Sequence, residues 1–396
     1  MKALSSSVAM RKRLTRREFL GEGLLASLTA ALAACTASDG SFTSEAHATP
    51  TFELPDPKGL HEARHYRQLT GNTVQCQMCF RSCVVLEGGW GFCRNKVNIG
   101  GRYFTLVYGR PSALQVDPIE KEPAFHMLPG GTIFCTGTAS CNFRCKFCQN
   151  WHLSQRHFNE MDHYPTTPDE TVKMALEAAC DAVSFTYNEP TVFYEHMFDV
   201  AKAAKAAGLR TLCHTNGGIS EEPLAALLEH MDAVTVDLKS FSPKFYREIS
   251  SAELEPVLRT LQQIYRSGVH LEIVNLVIPT LNDNMNEIQQ MCRWICDKIS
   301  NQVPIHFNRF FPDYKLTSLP PTPVETLEAA AAIADKEGLE YVYIGNCPGH
   351  ERNSTFCPAC GKVIIKRAHF HLISLDVEKG RCGFCGHPIP GIWWDV

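Results

Sequence analysis

Three things are scarce in this chain. The first is an excess of charge of either sign. Lys and Arg number 38 against 42 Asp and Glu, a formal net charge of −4. So small an imbalance gives no electrostatic footprint for nucleic acid, and no nucleic-acid partner is expected. The second is long apolar runs. A mild stretch from Gly21 to Ala34 is too short and too Ala-rich to read as a membrane span. The third is evenly spread, pairable cysteine. There are 18 cysteines, but most fall in tight C-x2-C and C-x3-C groups, which read as metal ligands and not as a disulfide framework. Such usage argues for synthesis and cofactor loading in a reducing compartment. The remaining composition, 44% hydrophobic and 20% charged over 396 residues, is that of a globular main domain with appendages.

The N-terminus pulls toward export. Arg11-Lys12-Arg13 precedes Thr15-Arg16-Arg17-Glu18-Phe19-Leu20, a twin-arginine pattern, and the apolar stretch follows. Leu32-Ala33-Ala34-Cys35 then resembles a bacterial lipobox, which would make Cys35 a lipid anchor. Residues 1–35 are read as a Tat and lipoprotein-type signal. Residues 36–69, rich at first in Ser, Thr, Ala and Pro, are read as a linker. The expected location is the membrane-associated cell envelope, with a cytoplasmic location as the alternative.

Cys141, Cys145 and Cys148 form a C-x3-C-x2-C run. Iron–sulfur cubes are normally held by four Cys thiolates, so three clustered thiolates leave one iron open. An open coordination site is where a substrate or cofactor binds. A zinc knuckle fits less well, because zinc ligands usually come as paired C-x2-C.

From about residue 130 to 346, short β-branched runs alternate with amphipathic helical runs. Strands are expected at Thr132–Gly137, Ala182–Tyr187, Arg210–Thr215, Ala233–Leu238, His270–Val277, Pro304–Phe310 and Tyr341–Ile344. Helix starts are expected at Thr167-Pro168-Asp169-Glu170, at Ser220 and at Thr322-Pro323-Val324-Glu325, the last helix ending near Gly338. Repeated strand–helix units imply a parallel sheet, and six or seven of them fit a partial (β/α)6-type TIM barrel. Chemistry in such barrels sits at the C-terminal strand ends. Here those ends are polar: Thr186-Tyr187-Asn188-Glu189, His214-Thr215-Asn216-Gly217-Gly218, Asp237-Leu238-Lys239, and His306, Asn308 and Arg309.

Together these motifs resemble the radical S-adenosylmethionine (SAM) superfamily, and within it the glycyl-radical activating enzymes. More narrowly, they resemble the radical SAM component of the AmmeMemoRadiSam system, which is similar to the pyruvate formate-lyase activating enzyme. The resemblance spans roughly residues 70–370. It implies that Cys141, Cys145 and Cys148 hold a [4Fe–4S] cluster whose open iron chelates SAM. It also implies that Phe147 lies against the adenine, that Glu189 meets the methionine amino group with Asn188 beside it, that Asn216 is a polar SAM contact, and that Lys239, with Asp237, reaches the SAM carboxylate. The reaction implied is reductive SAM cleavage to a 5′-deoxyadenosyl radical that abstracts hydrogen, with no catalytic side chain assigned. The implied partners are an electron donor such as a flavodoxin or ferredoxin and an unidentified protein or small-molecule substrate, with a glycyl-radical enzyme among the candidates. The rival expectation is an iron–sulfur electron-transfer or metal-binding envelope protein, which would have no need of the polar strand ends.

Two further cysteine sets flank the barrel. Cys357-x2-Cys360-Gly and Cys382-x2-Cys385-Gly read as a zinc ribbon, with Val363–Ile365 and Phe370 enough for a hairpin between them. Cys76-x2-Cys79-x3-Cys83-x9-Cys93 offers four more thiolates, which suit either zinc or a second cluster. Spacing does not decide, and a structural zinc-type site is slightly preferred. The expected organisation is therefore a Cys-rich region over 70–128, a barrel over 129–348 and a zinc-ribbon-like region over 349–396.

Overall fold

The computed structural model describes residues 56–394. The twin-arginine pattern, the lipobox and Cys35 lie outside the described residues. At the centre is an eight-stranded sheet. Its strands follow one another across the sheet in chain order: Ala113–Pro118, Thr132–Gly137, Ala182–Phe185, Arg210–Thr215, Ala233–Asp237, His270–Val277, Ile305–Arg309 and Val342–Gly345. The first pairs antiparallel with the second, and every later pairing is parallel. The order never reverses, so right-handed crossovers place the intervening helices on one face.

The strands form where apolar β-branched residues are buried on both sides. Ala182–Phe185 is buried throughout, and Leu271, Ile273 and Val277 pack on the helix face. Helix Leu254–Ser267 answers with Leu254, Val257, Leu261 and Ile264, one helical stripe turned to that face. Helix Pro168–Glu177 starts as expected. Thr167 accepts the Glu170 amide, and Glu170 reaches back to the Thr167 amide. Gly268 and Gly338 end their helices in the left-handed conformation.

Thr322 does something other than cap. Helix Val324–Glu337 follows Pro323, with no side-chain cap. The Thr322 hydroxyl instead donates to the Val277 carbonyl at 2.6 Å and accepts from the Phe310 amide at 3.1 Å, joining two strand ends. Ser220 stands at the N-cap position of Glu221–Leu228 but makes no side-chain capping bond.

The N-terminal ends of the strands are closed by a polar plug. Buried Glu272 accepts from the Phe125 and His126 amides and pairs with His306 at 2.6 Å and His270 at 3.1 Å. His126 bonds Tyr343, and Arg367 of the C-terminal region pairs with buried Glu120. His306 is thus a floor residue, away from the strand ends that carry the cysteine loop.

The sheet begins at Ala113, before residue 129, because Ala113–Pro118 adds an antiparallel edge strand. Strands His61–Glu62 and Tyr66–Gln68 fall within the stretch read as linker. With Lys96–Ile99, Arg102–Thr105, Val74–Cys76 and Val84–Val85 they make two small three-stranded sheets. The C-terminal region folds as the hairpin Val363–Ala368 and His371–Leu375, flanked by Thr355–Phe356. Among the described residues no helix is long and apolar enough to cross a membrane.

Candidate active site and metal centres

Strand Thr132–Gly137 delivers the chain into the loop that carries Cys141, Cys145 and Cys148. The first two are buried and the third is half-buried. Ser140, just before Cys141, holds a left-handed backbone with φ 71°. Tyr187, beside the loop's anchor, does the same with φ 70°. Such conformations cost energy in residues with a side chain and persist only where the surroundings over-determine them.

Those surroundings are visible. Asn188 accepts the Thr138 amide at 2.9 Å and donates to the Ser140 carbonyl at 2.8 Å, so its whole amide is spent on the loop. Arg144 donates to the carbonyls of Cys141, Phe143 and Phe92 at 2.5, 2.9 and 2.8 Å. The loop sulfurs are themselves solvated by the protein. Phe143 N–H lies 3.3 Å and Asn216 Nδ2 3.6 Å from Cys141 Sγ, and the Ser154 hydroxyl lies 3.1 Å from Cys148 Sγ. Burial pushes the Cys145 thiol up to about 11, with Lys239 acting against it, and pushes Cys141 and Cys148 up as well. A metal would have to displace three protons here.

Glu189 is buried, and both its oxygens are engaged. It accepts from the Thr191 hydroxyl, from the Thr191 amide at 3.1 Å, from Thr215 Oγ1 at 2.8 Å and from the Asn216 amide at 2.8 Å. It therefore locks the ends of Ala182–Phe185 and Arg210–Thr215 together. Burial raises its pKa against these donors. Asn216 turns its amide toward the loop, bonding Asn142 Oδ1 at 2.8 Å, and accepts the Gly218 amide at 2.9 Å. A side chain on Gly218 would come within 2.9 Å of the Phe143 ring, so this close approach requires glycine.

Lys239 and Asp237 pair at 2.8 Å, and the Lys239 ammonium stands 5.7 Å from the Phe147 ring centre. Lys239 is also close enough to act electrostatically on Cys145. The sequence-predicted residues thus fall into two linked groups around the loop. Asn188, Glu189 and Asn216 stand on the Cys141 side, and Phe147, Asp237 and Lys239 on the Cys145 side.

His214 was legible only as part of a polar strand end. It joins the site by reaching Asp237 at 3.3 Å and Glu122 at 3.5 Å. Burial would lower it, but the Asp237 and Glu122 carboxylates overcome this and hold it up at about 10. Burial alone would raise Asp237, yet Lys239 and His214 hold it far below the usual range. Glu122 also meets the Cys135 thiol at 3.1 Å. Glu122 precedes the first parallel strand, so no motif pointed to it.

The C-terminal quartet is drawn tight. Cys357 to Cys385 is 3.6 Å and Cys360 to Cys382 3.8 Å between sulfurs, and all four lie within 4.8 Å of one another. Gly361 and Gly386 take left-handed conformations, and their amides donate to the carbonyls of Cys357 and Cys382 at 2.9 and 2.8 Å. Four thiolates about 2.3 Å from one ion would stand about 3.8 Å apart, which these sulfurs match.

The family model for the radical SAM superfamily matches residues 136–295. An uncharacterized protein of Methanocaldococcus jannaschii is 44% identical over 332 residues, 83% of this chain and 99% of its own. The pyruvate formate-lyase-activating enzyme of Clostridium pasteurianum is 26% identical over 167 residues, 39% of this chain and 66% of its own. A domain of the pyruvate-formate lyase-activating enzyme from Bacteroides vulgatus superposes with a TM-score of 0.38 at 17% identity, covering 42% of this chain and 99% of that one.

Proposed function

The chain belongs to the radical SAM superfamily, and from that premise we propose that it cleaves SAM reductively at a [4Fe–4S] cluster held by Cys141, Cys145 and Cys148, activating a partner protein by hydrogen abstraction. The donor set fits the group: three loop thiols, of which Cys141 and Cys148 have hydrogen-bonding neighbours and Cys145 feels the half-buried Lys239 ammonium. When bound, the cluster and SAM supply a single electron transfer and a 5′-deoxyadenosyl radical. The protein's part is to bind, orient and shield. The Lys239 ammonium offers a charge partner to a carboxylate, and Asp237 keeps it in place. Phe147 offers an apolar face beside it. Asn216 and Glu189 supply polar atoms on the other side, with Asn188 fixing the loop between.

The observation that carries this reading is the meeting of Lys239, Phe147 and Asn216 on one three-cysteine loop. An electron carrier needs none of these around its cluster. The sequential strand order, with helices on one face, supports curling of the sheet into a partial barrel whose mouth holds the loop. Activation of a glycyl-radical enzyme is the finer part of the proposal, supported by the activating-enzyme relative. A flavodoxin or ferredoxin would supply the electron, and one Zn would sit in the C-terminal quartet, where the sulfur separations suit a single tetrahedral ion.

The test is electron paramagnetic resonance of the anaerobically reduced protein. Adding SAM should change the cluster signal. Lys239→Met should weaken apparent SAM affinity about 10- to 100-fold, the loss expected of one charge-assisted hydrogen bond. A signal indifferent to SAM would refute the reading.

A further inference from the structure

The four N-terminal cysteines, all half-buried, lie in one region. Cys76 ends strand Val74–Cys76, and its amide donates to the Cys83 carbonyl at 2.9 Å across the hairpin. The Ser82 amide closes a turn on the Cys79 carbonyl at 3.0 Å, and the Arg94 amide closes another on Gly91 at 2.8 Å, beside Cys93. The Tyr103 phenol lies within electrostatic reach of all four thiols. A side chain on Gly91 would stand 2.7 Å from the Tyr103 oxygen, so glycine there lets the Cys93 turn close over Cys83.

Backbone amides act on all four sulfurs: the Phe92 amide lies 3.5 Å from Cys83 Sγ, and the amides of Met78, Arg81 and Asn95 favour the ionised forms of Cys76, Cys79 and Cys93 against burial. Three of these come from two residues onward. The same spacing serves the SAM-type loop, where Phe143 meets Cys141 and Asn150 meets Cys148. Amide donors to sulfur are one of the devices that set cluster potentials.

Sulfur separation sets the two cysteine quartets apart. A zinc ion draws its thiolates to about 3.8 Å, as in the C-terminal quartet. Among the described residues, no other set of three His, Cys, Asp or Glu ligand atoms lies within 4.8 Å of one another. The N-terminal quartet and the Cys141 loop are both spread wider. A cube carries its thiolates on separate irons, so it holds them farther apart than one ion can.

The two cysteine sets also touch. Ser140, next to Cys141, donates to the Cys93 carbonyl at 2.5 Å, and Arg144 links the Cys141 and Phe92 carbonyls. Arg81 feels Cys79, Cys83, Cys93 and Cys141 together, while its guanidinium bonds the carbonyls of Asn142 and Ser251.

We propose that Cys76, Cys79, Cys83 and Cys93 hold a second iron–sulfur cluster directly beside the first. This departs from the zinc-type site slightly preferred from the sequence, where spacing does not decide. A cluster there is placed to take one electron from a reduced low-potential carrier protein and hand it to the loop. The carrier is oxidised by one electron, and no bond or proton changes. That role rests on the SAM-cluster reading of the loop; the metal assignment does not.

The test is metal and acid-labile sulfide analysis of anaerobically purified protein. Cys141→Ala/Cys145→Ala/Cys148→Ala should keep about four iron and four sulfide per chain, the content of one cube, against about eight of each in the wild type. It should also keep a low-temperature paramagnetic signal on reduction. Adding Cys79→Ala and Cys83→Ala to that variant should remove both. A triple variant that folds, holds no iron and carries a zinc equivalent beyond the C-terminal one would overturn the proposal. Equal iron in wild type and triple variant, near four, would refute the SAM-cluster loop while leaving the second cluster standing.

Discussion

Asn188 is expected from the resemblance to be a cofactor contact, and in the structure it holds the cysteine loop. Its amide oxygen and nitrogen are consumed by Thr138 and Ser140, so it positions the cysteine loop. Asn188→Ala would leave a buried amide and a carbonyl unpaired, at a cost of about 1–3 kcal/mol. Denaturant unfolding should show that loss, together with reduced iron retention after reconstitution. His214 was missed as a site residue because its partners, Glu122 and Asp237, are 92 and 23 residues away. Its pKa is raised to about 10 from the ordinary value near 6.5, so its ionic contribution to stability is fully present below about pH 6.5. The contribution declines as pH rises through 10. The stability gap between wild type and His214→Gln should therefore be widest near pH 6 and shrink toward pH 10.5. A gap that grew with pH would contradict the assignment of a protonated ring.

At the level of elements, the seven parallel strands were legible because each is a short buried run bounded by turn residues. The antiparallel strand Ala113–Pro118 was not. Its Ala-Leu-Gln-Val-Asp-Pro pattern is half exposed and ends in proline, as suits an edge strand. The small N-terminal strands, two to four residues long, are too short for periodicity to register. What fixes their position is a buried ion pair. Lys96, opening strand Lys96–Ile99, meets Glu195 of helix Tyr194–Ala206 at 2.5 Å, both nearly inaccessible. Glu195 also accepts the Arg64 amide at 2.8 Å. Removing one partner strands the other charge, so Lys96→Met should cost about 3–5 kcal/mol. The C-terminal cysteine quartet makes its own prediction. Cys357→Ser/Cys360→Ser should release about one zinc per chain and loosen the hairpin, read as faster proteolysis after residue 350. Unchanged zinc would refute the ribbon.

For the whole molecule, the motifs of the sequence point to one end of the sheet, and there Asn216 meets the cysteine loop and Lys239 stands beside Phe147. The floor could not be read in advance. Glu120, Phe125, His126, Glu272, His306, Tyr343 and Arg367 come from the connection between the first two sheet strands, three later strands and the C-terminal region, and only the tertiary fold unites them. Location is a separate matter, and we propose a Tat-exported lipoprotein anchored at Cys35. Protease protection in fractionated cells should show an envelope-attached protein, released to a soluble, full-length form by Arg16→Lys/Arg17→Lys. Wild-type protein that is itself soluble and full-length would refute export without touching the chemistry. The chemistry is tested most directly by product analysis. Reconstituted protein, reduced anaerobically with SAM, should form 5′-deoxyadenosine and methionine in equal amounts, and Cys145→Ala should form neither. Deoxyadenosine from the Cys145→Ala protein, or none from wild type carrying a full loop cluster, would contradict the account.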